Sequence, residues 1–385
     1  EITVDAMLMH QRYFPLFNAD GSLSNKFLIT SNGDPRFEEN IVDGNQRVVA
    51  ARLYDAKFFY DEDLRRPLES YVDKLDTVVF QEQLGTVRAK TARVEKLAAH
   101  LAQEAGFSAQ DAADAERAAQ VAQAIADHYR PRFAGDELPE SSVGKAVAMA
   151  DKLDTICGLF AVDQGPTGSS DPFALRRAAL GIIAILEAGL PVSLSDAVDC
   201  ALDSYEAEGL SFARAAVRAA VIDFFITRTR VMLRDSGCEA DAIDAVLTVD
   251  VCEPAEILRR VRSLEDARKN APDTFNDLAT AYARANNLRD ASLGTDVDES
   301  FINEVEHALF CAVVQAEGRV ARALEADDYQ EALSELADLR KPVDMFFERI
   351  MVMDEDQKLR ENRLKLLNRF VGVFQGVADF GKMAR

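Results

Sequence analysis

The stretch LADLRKPVDMFFERIMVMDEDQKLRENRLKLLNRF, residues 336–370, decides how the chain is read. Pro342 restricts the residue before it and interrupts the helical pattern that runs up to it. Beyond it, Phe346, Phe347, Ile350 and Val352 return as an apolar stripe suited to a core. Asp354, Glu355 and Asp356 then mark an acidic loop or helix start, favoured at the positive end of a helix dipole. The next helical run places Leu364 and Leu367 on an inward face and leaves Arg360, Arg363 and Lys365 elsewhere. The pattern predicts two helices broken by an acidic turn, with cations on the second.

Working outward, residues 295–385 read as about four helices. ESFINEVEHALFCAVVQAEGRVARALEADD comes first, then YQEALSELADLRKPVDMFFERIMVMDED broken near Pro342, then KLRENRLKLLNRFVGVFQGVADF. Residues 191–294 continue the helical periodicity, punctuated by Pro254 and Pro272. Upstream, RVEKLAAHLAQEAG stops at Gly106, an alanine-rich helix spans 111–129, and Pro131, Gly135 and Pro139 break the chain into a loop. VGKAVAMADKLDTICGLFAV and FALRRAALGIIAILEAG follow as helices, separated by the polar loop DQGPTGSSDP. Residues 1–66 differ: the aromatic cluster Tyr13, Phe14 and Phe17, an Asp20-Gly21 turn, a β-like run Lys26–Thr30, then a helix after Asp43-Gly44. The expected fold class is mainly α, with a small α+β N-terminal segment. The expected divisions are 1–66, 67–190, 191–294 and 295–385. The chain opens at Glu1 inside a structured pattern, so it is expected to be a fragment of a longer protein.

Composition narrows the function. The 385 residues carry a formal charge of −22, the opposite of a generic nucleic-acid binder, so any RNA contact must come from local basic patches on an acidic body. Cys157, Cys200, Cys238, Cys252 and Cys311 form no Cys-x-x-Cys pair, which points to reduced thiols in a cytoplasmic protein and against a zinc site. No apolar run reaches membrane-spanning length. The phosphate-binding loop, the dinucleotide glycine fingerprint and the Gly-x-Ser-x-Gly elbow are all absent.

The stretch 336–370 resembles the anticodon-binding helical domain, named after its Asp-Ala-Leu-Arg motif, of arginyl- and glycyl-tRNA synthetases. IADHYRPRFAGDELP at 125–139 and VGKAVAMADKLDTICGLFAVDQGPTGSSDPFALRRAALG at 143–181 resemble the middle of the bacterial glycyl-tRNA synthetase beta subunit. GNQRVVAARLYDAKFFYDEDLRRPLE, VVFQEQLGTVRAKTARV and MHQRYFPLFNADGSLSNKFL resemble the same family, in the same order. The resemblance implies a tRNA-binding subunit of glycine–tRNA ligase, with tRNA(Gly) and an alpha subunit as partners in an alpha-two beta-two complex. No membrane or DNA partner is implied. ATP and Mg would act on the alpha subunit, and this fragment alone would be catalytically inactive, with no cofactor of its own. Candidate tRNA contacts in the C-terminal region are Arg340, Lys341, Arg360, Asn362, Arg363 and Arg369, though each cation taken singly also fits a solvated helix face. The pair Arg360 and Arg363 is expected to contribute RNA affinity without supporting the fold.

The middle region is also similar to HD-type phosphohydrolases, whose His and Asp residues hold a divalent metal. Asp151 matches the late aspartate of that pattern and His128 is the only nearby histidine. No His-Asp dipeptide occurs in the chain, so these are read as degenerate HD positions without a metal. Arg176 and Arg177 stand near a helix start, where they oppose the dipole; they suit either phosphate contact or pairing with Asp171 or Glu187. The family pattern carries a further helical stretch where AERAAQ here runs into VAQAIADHY, so a segment is expected to be missing near 120 and 121. The alternative functions are a metal-dependent HD phosphohydrolase and a non-catalytic helical scaffold.

Overall fold

The computed structural model describes residues 4, 7, 8, 12–107, 129–133, 135–249 and 251–383. The chain divides into two compact units, Glu1–Val78 and Val79–Arg385.

In the first unit, β1 (Phe14–Phe17) and β2 (Leu23–Leu28) form an antiparallel hairpin. The turn is set by Asp20, whose Oδ1 accepts from the Ser22 backbone N–H, and by Gly21 at φ +79°, a left-handed conformation that favours glycine. The second strand therefore starts three residues earlier than the expected Lys26. Tyr13 stacks on Phe27 at 5.4 Å and donates to Asn45 Oδ1. Helix α1 (Glu38–Asp63) begins after a 3-10 turn over Pro35–Phe37, capped by Asp34. It encloses Gly44, which the sequence pattern places before the helix. Glu38 and Glu39 in its first turn favour the earlier start, outweighing a mid-helix glycine that costs roughly 1 kcal/mol.

The second unit opens with a hairpin that helical periodicity does not predict, β3 (Val79–Gln81) and β4 (Gly85–Thr86). Thr86 caps α2 (Val87–Glu104) by accepting from the Ala89 N–H. The described helices that follow are α3 (Ser142–Ala161), α4 (Leu175–Glu187), α5 (Leu194–Ala207), α6 (Arg214–Asp235), α7 (Ala240–Leu247), α8 (Pro254–Asn270) and α9 (Pro272–Leu288). Pro254 and Pro272 each sit at the first helical position, where a missing N–H removes no helical bond. The last four are α10 (Glu304–Glu325), α11 (Tyr329–Ala337), α12 (Arg340–Arg349) and α13 (Gln357–Gln375). Pro342 lies in the first turn of α12, so the break falls just before it, between α11 and α12.

Helix α3 is the hub of the middle region. It is buried nearly all round and packs against α2, α4, α5 and α6. The Tyr205 ring of α5 lies so close to it that a Cβ on Gly158 would meet the phenol oxygen at 2.2 Å. That oxygen donates to the Asp154 carbonyl. A single apolar core then runs from Leu84 to Met383. Arg260 of α8 donates to the Gly376 carbonyl, and the Asp379 N–H donates to the Ala245 carbonyl. The expected boundaries at 190 and 294 thus fall inside one packed unit, because α8 packs against α4 on one side and α11 on the other, and α9 joins it to α12 and α13. No described helix is long and apolar enough to cross a membrane.

Candidate nucleic-acid interface

The capping geometry of the C-terminal helices places their cations. Asn303 and Glu306 form a reciprocal capping box at the start of α10. Asp356 caps α13 by accepting from the Lys358 N–H. With both ends fixed, the inner face of α13 buries Leu366, Leu367, Phe370, Val371 and Phe374. Cations of α12 and α13 fall into two sets.

The first set is committed to carboxylates. Arg363 reaches Glu306, and its other nitrogen lies 2.6 Å from Asp354 Oδ2. Burial opposes its charge, but the bonds to Glu306 and Asp354 hold the guanidinium above its ordinary pKa. Arg369 makes two 2.7 Å bonds to Glu317 and stacks over Phe310, and the Glu317 bonds raise it likewise. Arg340 pairs with Asp277 and faces Asp344. Asn362 is buried; its side chain accepts from the Asp298 N–H at 2.8 Å and donates to the Asp298 carbonyl at 3.0 Å. That side chain is a structural clamp, a correction to its expected exposure to nucleotides. Against the expectation that Arg363 is dispensable for the fold, it is the ion-pair partner of Glu306, whose side chain is only 2% exposed and otherwise accepts from the Asn303 N–H.

The second set has no carboxylate within ion-pair distance among the described residues. Lys341, Met345 and Arg349 lie four residues apart on the exposed face of α12. Among the described residues Arg360 donates to the Asp354 carbonyl alone. Lys358 lies over the ring of Phe301 at 5.9 Å, and Phe301 is 40% exposed. The intervening loop exposes Met351 and Met353, with the Met351 carbonyl held by Arg363. The committed arginines therefore shape a loop whose neighbouring cations face solvent. An ammonium over a half-exposed aromatic ring, with further cations and soft methionines on the same two helices and their loop, suits phosphates with unstacked bases. Lys358 and Arg349 stand in the stretch 336–370, yet sequence reasoning does not single them out. Phe301 has no local signal, since it reaches the site only through the fold.

The middle region holds its charges differently. Asp151 accepts an ion pair from Lys90 Nζ at 2.7 Å, and that ammonium lies over Phe80. Lys152 donates to the Arg130 carbonyl, and burial pushes it down to about 8. Arg93 is buried against Asp154 at 2.8 Å and stacks on Tyr205 at 4.2 Å. His128 lies outside the described residues. Among the described residues no group of three or more His, Cys, Asp or Glu side chains could hold a metal ion. Arg176 donates to the Gly168 carbonyl, and Asp171 caps α4 by accepting from the Leu175 and Arg176 N–H groups. Glu187 pairs with Arg262, leaving Arg177 exposed without an ion pair among the described residues. Asp171 and Glu187 are thus committed elsewhere than to side-chain pairs with Arg176 or Arg177.

A helical body ending in a bundle of this form defines a class, the helical anticodon-binding proteins: the DALR anticodon binding domain family matches residues 278–377. The glycyl-tRNA synthetase beta subunit family matches residues 1–122 and 112–248. The chain belongs to the glycyl-tRNA synthetase beta subunit family. Similar proteins include the glycine–tRNA ligase beta subunits of Glaesserella parasuis serovar 5 and Desulforamulus reducens, each 38% identical. That of Haemophilus influenzae strain PittGG is 39% identical. The alignments cover 98% of this chain with the first and third, and 99% with the second. The chain spans about 60% of the length of these relatives. The alignment with the first runs over 418 positions, more than the 385 residues here, so the relative carries residues that this chain lacks. The two pieces of the beta-subunit match meet at 112–122, where the sequence pattern is interrupted.

Proposed function

We propose that this chain is the tRNA-holding part of a glycine–tRNA ligase beta subunit. It positions tRNA(Gly) for an alpha subunit that performs ATP- and Mg-dependent activation and transfer in the cytoplasm. Two copies of each subunit would make an alpha-two beta-two assembly. The observation that carries the reading is the set of uncommitted cations, Lys341, Arg349, Lys358 and Arg360, within the match to an anticodon-binding domain, with Lys358 over the half-exposed ring of Phe301. These groups neutralise phosphates locally on a chain whose net charge of −22 repels RNA elsewhere, so docking is confined to that face. Arg340, Arg363 and Arg369 contribute by fixing the surface, and Arg176 and Arg177 form a second basic point on the middle helices. Holding the tRNA would turn a bimolecular encounter into an oriented one. No cofactor is required of this chain for that task.

A gel-shift series with tRNA(Gly), with and without its anticodon arm, tests the reading. Binding is expected to weaken when the arm is removed and to fall steeply with salt. Glycylation is expected only when the alpha subunit is added. Equal affinity for both RNAs would remove the anticodon-binding face from the account.

A further inference from the structure

We propose that a pocket on the middle helices receives a single nucleotide, its base between apolar walls and its 5′-phosphate on Arg177. The pocket has a volume of about 470 Å³ and lies between α4, the end of α6 and the loop that follows Pro131. That size falls in the range of small-ligand sites. Pro131, Leu138, Leu180 and Met232 supply apolar wall. Gly181 belongs to the same lining, and a Cβ there would come within 3.2 Å of both Pro131 and the Lys152 stem. The wall is therefore closely packed and holds its shape. Phe133 lies at the pocket and is 57% exposed, with the Arg132 guanidinium 5.9 Å from its ring centroid, so one face of the ring remains for stacking.

Charge selects the occupant. Three carboxylates line the pocket, and two of them are neutralised: Asp136 by Arg132 at 2.9 Å and Glu187 by Arg262. Arg177 and Asp235 make no ion pair among the described residues. A buried apolar peptide side chain would use the walls and leave Arg177 without a counter-charge. A nucleotide uses every element: the base against Phe133 and the aliphatic wall, the phosphate on the guanidinium, and a base N–H toward Asp235. Asp171 already caps the start of α4, so the anion would rest on the Arg177 side chain rather than on the helix end. The inference deepens the tRNA-binding reading, with an unstacked nucleotide of bound RNA as one source and a free nucleotide as the other.

The chain contains no tryptophan, so Phe133→Trp installs a single reporter at the pocket. Titration of the full chain with AMP should quench its fluorescence saturably. Adding Arg177→Ala, or replacing AMP by adenosine, should weaken that response at least roughly tenfold, the loss of one charge-assisted pair. Ala184→Phe, which fills the lining, should abolish it, with helix content by circular dichroism showing both variants folded. Quenching by tRNA(Gly) that also depends on Arg177 assigns the site to RNA, and quenching by AMP alone assigns it to free nucleotide. No quenching by AMP or tRNA, or quenching indifferent to Arg177, overturns the proposal. The gel shift of the same protein separates the two ideas: a normal shift without quenching ends the pocket alone, and AMP quenching without a shift ends the tRNA reading alone.

Discussion

The helices around Arg93 and the outer edge of the C-terminal bundle use positive charge in opposite ways. In the middle region Arg93 is fully enclosed, with its guanidinium on Asp154 and Glu208 and its plane on Tyr205. Burial drives the Asp154 carboxyl upward, and Arg93, ahead of Lys90 and Tyr205, favours its ionised form. At the edge of the bundle Lys341, Arg349, Lys358 and Arg360 have no carboxylate partner among the described residues, while Arg363 and Arg369 do. A formal count of cations therefore misjudges a surface. Only those left over after internal pairing can neutralise a phosphate, because a paired one must first give up its partner.

The largest effect that could break this contrast is at Arg93. Arg93→Ala leaves Asp154 buried without its partner and is expected to cost about 3–5 kcal/mol in urea denaturation. Pairing Arg93→Met with Asp154→Leu should restore most of that loss. If the single substitution proved near neutral, the buried ion pair would not be what organises α2, α3 and α5. Next comes Arg363→Ala, expected to cost about 2–3 kcal/mol by leaving the buried Glu306 carboxylate without its counter-charge at the seam of α10 and α13. Arg360→Ala should leave the melting temperature within experimental error, because it gives up only a carbonyl contact. The two substitutions together separate a wall of the site from its exposed face.

A smaller effect concerns Lys152, whose folded pKa of about 8 lies below its ordinary value because of burial. The unfolded chain holds that proton to higher pH than the folded one. Stability is therefore penalised below about pH 8 and recovers as pH rises from there toward the ordinary lysine range. The slope is at most about 1.4 kcal/mol per pH unit. Lys152→Met should flatten the difference between denaturation curves at pH 7.5 and 9.5. An unchanged difference would show that other groups produce it.

Much of the fold is open to reading in the sequence, and for physical reasons. The helices after residue 140 have unbroken apolar periodicity and strong punctuation, so α3, α4 and α13 fall within a few residues of expectation. The β3–β4 hairpin is not legible: two short strands carry too few residues for a period of two to stand out. That 191–294 is no separate segment is not legible either, since which two neighbours a helix touches is a tertiary matter. At the candidate site, the stretch 336–370 does not show which of its polar side chains are held inside the bundle: Lys341 and Arg360 have no ion pair among the described residues, while Arg340, Arg363 and Arg369 do. Arg363 and Asn362 look like exposed polar residues in the string, and their partners, Glu306 and the Asp298 backbone, lie more than fifty residues away. Phe301 and Phe133 are invisible for the same reason.

Reversing the three exposed charges among the uncommitted cations puts RNA docking on this bundle to its sharpest test. Binding of tRNA(Gly) to the Lys341→Glu, Arg349→Glu, Lys358→Glu variant should be measured across a salt series against the unaltered chain. The account predicts an affinity lower by roughly tenfold or more at 0.1 M salt, with a slope of log affinity against log salt reduced by about 0.7–0.9 for each phosphate that is no longer neutralised. Unfolding by urea should be unaltered. Equal affinity and equal slope in the two proteins would contradict it, and would place the RNA on some other face of the molecule.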